Sequence, residues 1–249
     1  MKRKIFSIFF ILFYFFSWGQ LGLSHRKRVD HEKIAIAEKH DSIVSILKKN
    51  NIKLKDLEVL FIIYKEENQL VVYAKNWFDL QFKPIISYEI CFQSGQLGPK
   101  RCQGDYQIPE GFYHIIYFNR YSDYFLSLGI NYPNLSDKRK SRGCRLGGNI
   151  TIHGGCNSTG CIPMTDEIVK YIYLFALYSS PTDRRAKVHV YIFPFKMTNE
   201  NLQKHAELYK NNDELLLFWL NLMTGYEKFM QTKKDLKYDI NKKGDYIFR

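Results

Sequence analysis

The sequence predicts an α+β fold with a mainly β core and packing helices at its N- and C-terminal ends. Two patterns carry that expectation. Between Leu57 and Phe195, short runs rich in β-branched and aromatic residues follow one another, as strands do. Apolar residues at helical intervals are confined to 29–49, to the stretch after Thr165 and to the region after Met197. No repeat, low-complexity segment or long linker divides the chain, so one domain is expected.

Element by element, the chain opens "MKRKIFSIFFILFYFFSWGQ": a basic tip, then fourteen mostly apolar residues from Ile5 to Trp18, then small and polar ones. That is the pattern of an export signal over 1–19, and the apolar run is short of the roughly 20 residues a membrane span needs. A soluble exported chain without a membrane span follows. The segment 20–56 is helical, with Ile34, Ala37, Ile43, Val44 and Leu47 on its apolar side, and it ends at "KKNN". "LEVLFIIYK" (57–65) and "QLVVYAKN" (69–76) read as a hairpin. Strands follow at 82–92, 111–118, 123–130, 148–154 and 187–195. "DEIVKYIYLFALYSS" reads as a largely buried helix capped by Thr165, and two further helices follow Met197. The domain therefore spans 57–249, with a C-terminal helical extension.

The formal charge of +12 is spread along the chain. Its basic runs at 24–30 and 136–143 are short and carry no interleaved aromatics, which speaks against nucleic acid. Outside the cytoplasm the acidic partner is the cell envelope, whose polymers bear carboxylates and phosphates. Five cysteines (91, 102, 144, 156 and 161) are too few for a disulfide scaffold, and their odd number leaves at least one thiol unpaired within the chain.

The chemistry concentrates in "TIHGGCNSTGCIPMTDE" (151–167), between a strand and a helix. A cysteine becomes a nucleophile as its thiolate, which a neighbouring histidine or a helix N-terminus favours. Cys161 has both within reach: His153 lies eight positions earlier across a loop that Gly154, Gly155 and Gly160 let turn tightly, and a helix begins shortly after. Main-chain N–H groups around Gly160 and Cys161 would face a developing oxyanion. Two other readings stay open on spacing alone: a half-cystine beside a turn histidine, and zinc held by His153, Cys156, Cys161 and Cys144. Cys156, with four residues between it and Cys161, is expected to form a reversible redox lock with it.

The pattern "IHG…S.GC.PM" resembles the active-site signature of the L,D-transpeptidase catalytic domain, the YkuD family, in its YafK-like branch. "GPKRCQGDYQIPEGFYHI" (98–115), "LSLGINYPN" (126–134), "IFPFKMT" and "FWLNLMTGYEKF" extend the likeness over roughly 57–229. The resemblance implies a YkuD-type fold, Cys161 as nucleophile, His153 as general base, and a pocket shaped by Ser158, Thr159, Gly160 and Gly154. It implies peptidoglycan stem peptides as substrate, cell-wall cross-linking or remodelling and so cell shape as the role, a periplasmic or envelope location, and no metal or organic cofactor. Amine acceptors or wall-attached proteins are further partners. Hydrolysis at the same site by an L,D-amidase, or a non-catalytic wall-binding module, are the alternatives. Two positions depart from the family: Thr159 stands where most members have a second histidine, and Pro163 where most have an arginine. The second loss removes an anchor for a substrate carboxylate, for which Lys100, Arg101 and Arg145 are the candidate substitutes.

Overall fold

The computed structural model describes residues 29–141, 143–179 and 187–249; the leader read at 1–19 lies outside them. Helix α1 (His31–Lys49) is followed by strands β1 (Leu57–Tyr64), β2 (Gln69–Asn76), β3 (Lys83–Glu89), β4 (Gly111–Ser122) and β5 (Phe125–Ile130). Then come α2 (Leu135–Arg139), β6 (Thr151–His153), β7 (Ile162–Pro163), α3 (Asp166–Ser179) and β8 (His189–Phe193). Helices α4 (Asn199–Leu208) and α5 (Asp213–Thr232) and a hairpin, β9 (Tyr238–Ile240) with β10 (Tyr246–Phe248), complete the chain. The α+β class with a sheet core and terminal helices is the one the sequence predicts.

Eight strands form one sheet in the order β3-β2-β1-β8-β4-β5-β6-β7. Most neighbours are antiparallel, but β1 lies parallel to β8 and β6 parallel to β7. The central strands are apolar on both faces because both faces are covered. Val59, Phe61 and Ile63 of β1 join Val190 and Ile192 of β8 in the core under α1 and α3. Leu60, Ile62, Tyr191 and Phe193, pointing the other way, pack with Phe218, Trp219 and Leu222 of α5. Although β3 and β7 are the two edges, the sheet curls until they meet: Cys91, just past β3, donates its N–H to Pro163 O at 3.2 Å and is disulfide-bonded to Cys156. That closure covers both edges where they approach.

Each long helix starts at a side chain that accepts a first-turn N–H. Asp30 accepts from Lys33 N, Thr165 from Ile168 N and Asn212 from Leu215 N. Helix α1 then locks onto α3 through Tyr173 to Glu32 (2.8 Å) and Lys170 to Glu38 (2.5 Å).

The loop 93–110 runs over the sheet and is held from within. Asp105 accepts from the N–H groups of Arg101, Cys102 and Gln107. Glu110, fully buried, pairs with the equally buried Lys65 at 2.8 Å and accepts from Gly98 N and Trp219 Nε1. Lys65 also donates to Gly98 O and Ile108 O, so every arm of the ammonium is used. Burial pushes the Lys65 pKa down and Glu110 opposes that shift. Lys65→Met is therefore expected to cost about 3–5 kcal/mol in urea unfolding, because it strands a buried carboxylate, while Lys65→Met with Glu110→Gln costs less.

Candidate active site

His153 ends β6, opposite Ser127 of β5 in the antiparallel register, and Cys161 immediately precedes β7, which pairs with β6. Parallel pairing of two very short strands thus returns the chain to its starting point across seven residues and sets the thiol against the imidazole. The return depends on glycine where the backbone demands it. Gly155 and Gly160 have φ of +75° and +126°, and a Cβ at Gly154 would stand 2.6 Å from both Asp166 Oδ1 and Tyr124 O.

His153 Nδ1 lies 2.6 Å from Gly154 O. A carbonyl only accepts, so Nδ1 carries the hydrogen and Nε2 is left for the thiol. The ring of Tyr124 lies 4.6 Å from the imidazole, centroid to centroid, and walls its outer side. Burial alone pushes the Cys161 thiol up, but the hydrogen bond from His153 and those from Thr151 outweigh it and hold the thiol below its ordinary value. Thr151 contributes its N–H at 3.4 Å and its hydroxyl at 3.6 Å from Sγ. For His153, burial lowers the pKa, while Cys161 and Gly154 O raise it, and the balance is upward.

The signs fix a prediction. A depressed thiol pKa means that alkylation of Cys161, the single free cysteine, should rise with pH through a midpoint below the ordinary thiol value of about 8.5. In His153→Ala the largest of the groups that lower the thiol pKa is gone while those of Thr151 remain, so the midpoint should move upward. The stabilisation that the thiolate draws from its partners is present above the ordinary thiol pKa and is lost as pH falls through the depressed one. That drawn by the imidazolium is present below about pH 6.5 and is lost as pH rises through the raised one. Iodoacetamide kinetics followed by mass against pH make the check.

Ser158 donates to Cys161 O (2.8 Å) and accepts from Gly160 N (3.1 Å), so the serine closes the turn that carries the nucleophile. Gly154 N is given to Leu126 O. Both N–H groups are thus occupied, and these residues build the loop; the oxyanion role expected around Gly160 is not served by its own N–H in this arrangement. Thr159 lines the cleft with Asn149, Thr151 and Asn157.

The structure corrects the expectation for Cys156. Its sulfur is bonded to Cys91, 65 residues away, with the Cα atoms 5.6 Å apart, and Cys161 is free. The reason is the curl of the sheet, which brings the end of β3 beside the loop, a proximity that local spacing does not encode. Cys144 is likewise bonded to Cys102. Two of the four ligands weighed for zinc are consumed, and the described residues contain no group of three metal-ligating side chains. The helix N-terminus offered as a second activator instead anchors the loop: Asp166 in the first turn of α3 accepts from Gly155 N at 2.9 Å. Thr151 was missed, although its position two before His153 on one strand places both on the same face. Lys100 and Arg101 do not replace the missing arginine, because they are paired with Asp105 (2.6 Å) and Asp137 (3.1 Å). His114 and His189 sit side by side on β4 and β8, away from the cleft, with His189 3.2 Å from Asp235.

The cleft over Cys161 has a volume of about 360 Å³. The sequence profile of the L,D-transpeptidase catalytic domain (YkuD) matches residues 58–192, which contain every residue of this site. The chain belongs to the L,D-transpeptidase catalytic domain family. It is 36% identical over 199 residues to "Putative L,D-transpeptidase YafK" of Escherichia coli K12, covering 78% of this chain and 75% of that protein, and equally to the O157:H7 counterpart. Among solved structures, the helical cell shape determining protein Pgp2 from Campylobacter jejuni is similar at 20% identity and a TM-score of 0.44, over 74% of this chain and 73% of that one. Bd1075 from Bdellovibrio bacteriovorus is similar at 19% identity and a TM-score of 0.41, over 77% and 76%. The L,D-transpeptidase family acts on peptidoglycan, and no described helix of this member is long and apolar enough to cross a membrane.

Proposed function

We propose that the protein is an exported, periplasmic or envelope-associated L,D-transpeptidase that works on peptidoglycan stem peptides through a thioester on Cys161. The observation that carries the reading is a single free thiol, lowered in pKa by His153 and Thr151, at the floor of an open cleft within a family-matched domain. The Cys161 thiolate attacks the carbonyl between the L-centre of a diamino acid and the following D-residue. The carbon–nitrogen bond breaks, and protonated His153 gives its proton to the leaving amine. An incoming amine or water then attacks the thioester, His153 takes the proton of the attacking group, and the thiolate is released.

The cleft lining favours partners that bring an amine. Its described residues include Asp123 and neither lysine nor arginine, and Pro163 stands where most relatives carry an arginine. An acidic wall suits the ammonium of an acceptor or leaving group better than a substrate carboxylate. The same openness supports hydrolysis as a competing outcome, the L,D-amidase alternative, since the described lining offers no lysine or arginine to hold the carboxylate of a second stem. Incubation with tetrapeptide muropeptides, with and without a free D-amino acid, is expected to yield tripeptide and exchanged stems alongside cross-linked dimers. Dimers alone, by mass, would show that the site excludes water and small amines; no product at all, with Cys161 still alkylatable, would favour a wall-binding module.

A further inference from the structure

The turn between β2 and β3 presents three large apolar side chains to solvent within four residues: Trp77 is 54% exposed, Phe78 56% and Leu80 76%. Isolated exposed apolar residues need no explanation, but a contiguous cluster on a protruding turn does. The turn is held in shape. Asp79 Oδ2 accepts from Asn76 N (3.1 Å) and Nδ2 (2.8 Å), Lys75 Nζ donates to Asp79 O (3.0 Å), and Trp77 N donates to Asp56 O (2.7 Å). Its apolar tip is therefore a fixed feature of the surface.

Around the tip the charge is positive. Lys53 adjoins it through its N–H to Asn76 Oδ1, Lys83 follows Leu80 by three residues, and Lys234 lines the same hollow as Leu80; all three are exposed. Of the nearby carboxylates, Glu58 is paired with Lys75 and Asp235 with His189, while Asp79 is turned back onto the Asn76 amides and is the one anionic group of the turn, outnumbered by the three lysines. We infer that this turn is a reversible docking tip for an anionic lipid bilayer, with Trp77, Phe78 and Leu80 entering the boundary between headgroups and acyl chains and Lys53, Lys83 and Lys234 meeting lipid phosphates. Aromatic and aliphatic side chains ringed by lysine are suited to that boundary, where one end is apolar and the other wet. A glycan platform fits less well: the Trp77 and Phe78 rings stand at 84° to each other, a wedge instead of two coplanar faces for sugar rings.

The placement suits an enzyme that faces the wall. The C-terminal end of α1 touches the tip region, with Asn51 O accepting from Asn76 Nδ2, and its first residue, His31, stacks on Phe125 beside the catalytic cleft. Nineteen helical residues separate the two, roughly 28 Å at 1.5 Å per residue. A tip seated on the membrane therefore leaves the cleft at the far end of α1 from that contact. The wall-facing placement rests on the proposed function, whereas vesicle binding by the tip is read without turnover.

The chain contains three tryptophans, at 18, 77 and 219, and Trp219 is fully buried. In the chain from Gln20 onward, freed of the apolar leader and of Trp18, the emission of Trp77 reports on the tip. Vesicles of phosphatidylglycerol and phosphatidylethanolamine with brominated acyl chains are expected to quench it, and phosphatidylcholine vesicles to do so far less. Phe78→Ala with Leu80→Ala should weaken the vesicle titration by about tenfold or more per side chain, and Lys53→Glu with Lys234→Glu should weaken it and reduce its salt dependence. Turnover of soluble muropeptides should stay unchanged in both variants. Emission indifferent to anionic vesicles, equal quenching in the parent and the Phe78/Leu80 variant, a response to purified peptidoglycan instead of vesicles, or a concentration-dependent dimer abolished by those substitutions would each overturn the proposal.

Discussion

Cys161→Ala is expected to remove all turnover of muropeptides while leaving the fold intact. The thiol is the one cysteine free to act, and its contacts are few: His153, the Thr151 N–H and hydroxyl, and Asn149 O at 3.7 Å. Taking it away strands no buried charge, so its structural cost is small. His153→Ala should lower turnover by about 10²- to 10⁴-fold, since proton transfer both to the leaving amine and from the incoming group depends on it. It should not abolish acylation at high pH, where the thiol ionises without help. Intact mass closes the argument: wild-type protein with a stem-peptide donor gains the mass of the acyl group, and Cys161→Ala gains nothing. Retained turnover in Cys161→Ala would move the chemistry to another residue and end the thioester reading.

Opening the Cys91–Cys156 disulfide is expected to cost both stability and activity. The bond closes a separation of 65 residues, and chain-entropy arguments give about 4 kcal/mol for a loop of that size. More is at stake than entropy. Cys91 grips the catalytic loop twice, through the sulfur of Cys156 on one side of Cys161 and through Pro163 O on the other, where the sheet edges meet. Cys91→Ser with Cys156→Ser should therefore lower the melting temperature and slow turnover, with Cys161 still free to alkylate. The direction separates two mechanisms. A lock between Cys156 and Cys161 would make reductant activating; a staple between Cys91 and Cys156 makes it inactivating. Turnover measured across a dithiothreitol series, beside the same series on the double serine variant, gives the sign.

Much of this was legible in the sequence because it is written locally. The runs of β-branched and aromatic residues from Leu57 give strands that are covered on both faces, and the Thr165 cap announces its helix. His153, Cys161 and the glycines between them are a short-range pattern, since a turn of seven residues needs only neighbours to close. The C-terminal hairpin was not anticipated, although "YDINKKGDYIF" alternates around an Asn-Lys-Lys-Gly turn; its two three-residue strands are too short to stand alone and rely on α5 through Asn221 and on Phe112.

What tertiary structure alone decided is the set of partners across long sequence distances. Which cysteine meets Cys156 depends on a sheet of eight strands curling until β3 reaches β7, and no window of sequence contains both. The same holds for Lys65 and Glu110, both fully buried: Lys65 is met by Gly98 O and Ile108 O of loop 93–110, and Glu110 by Trp219 of α5. Local propensity and periodicity are properties of a few consecutive residues, so they fix elements and short loops. Pairing of edges, burial of charges and the choice of disulfide partner are set by the free energy of closing the whole core, which exists only once the elements have packed.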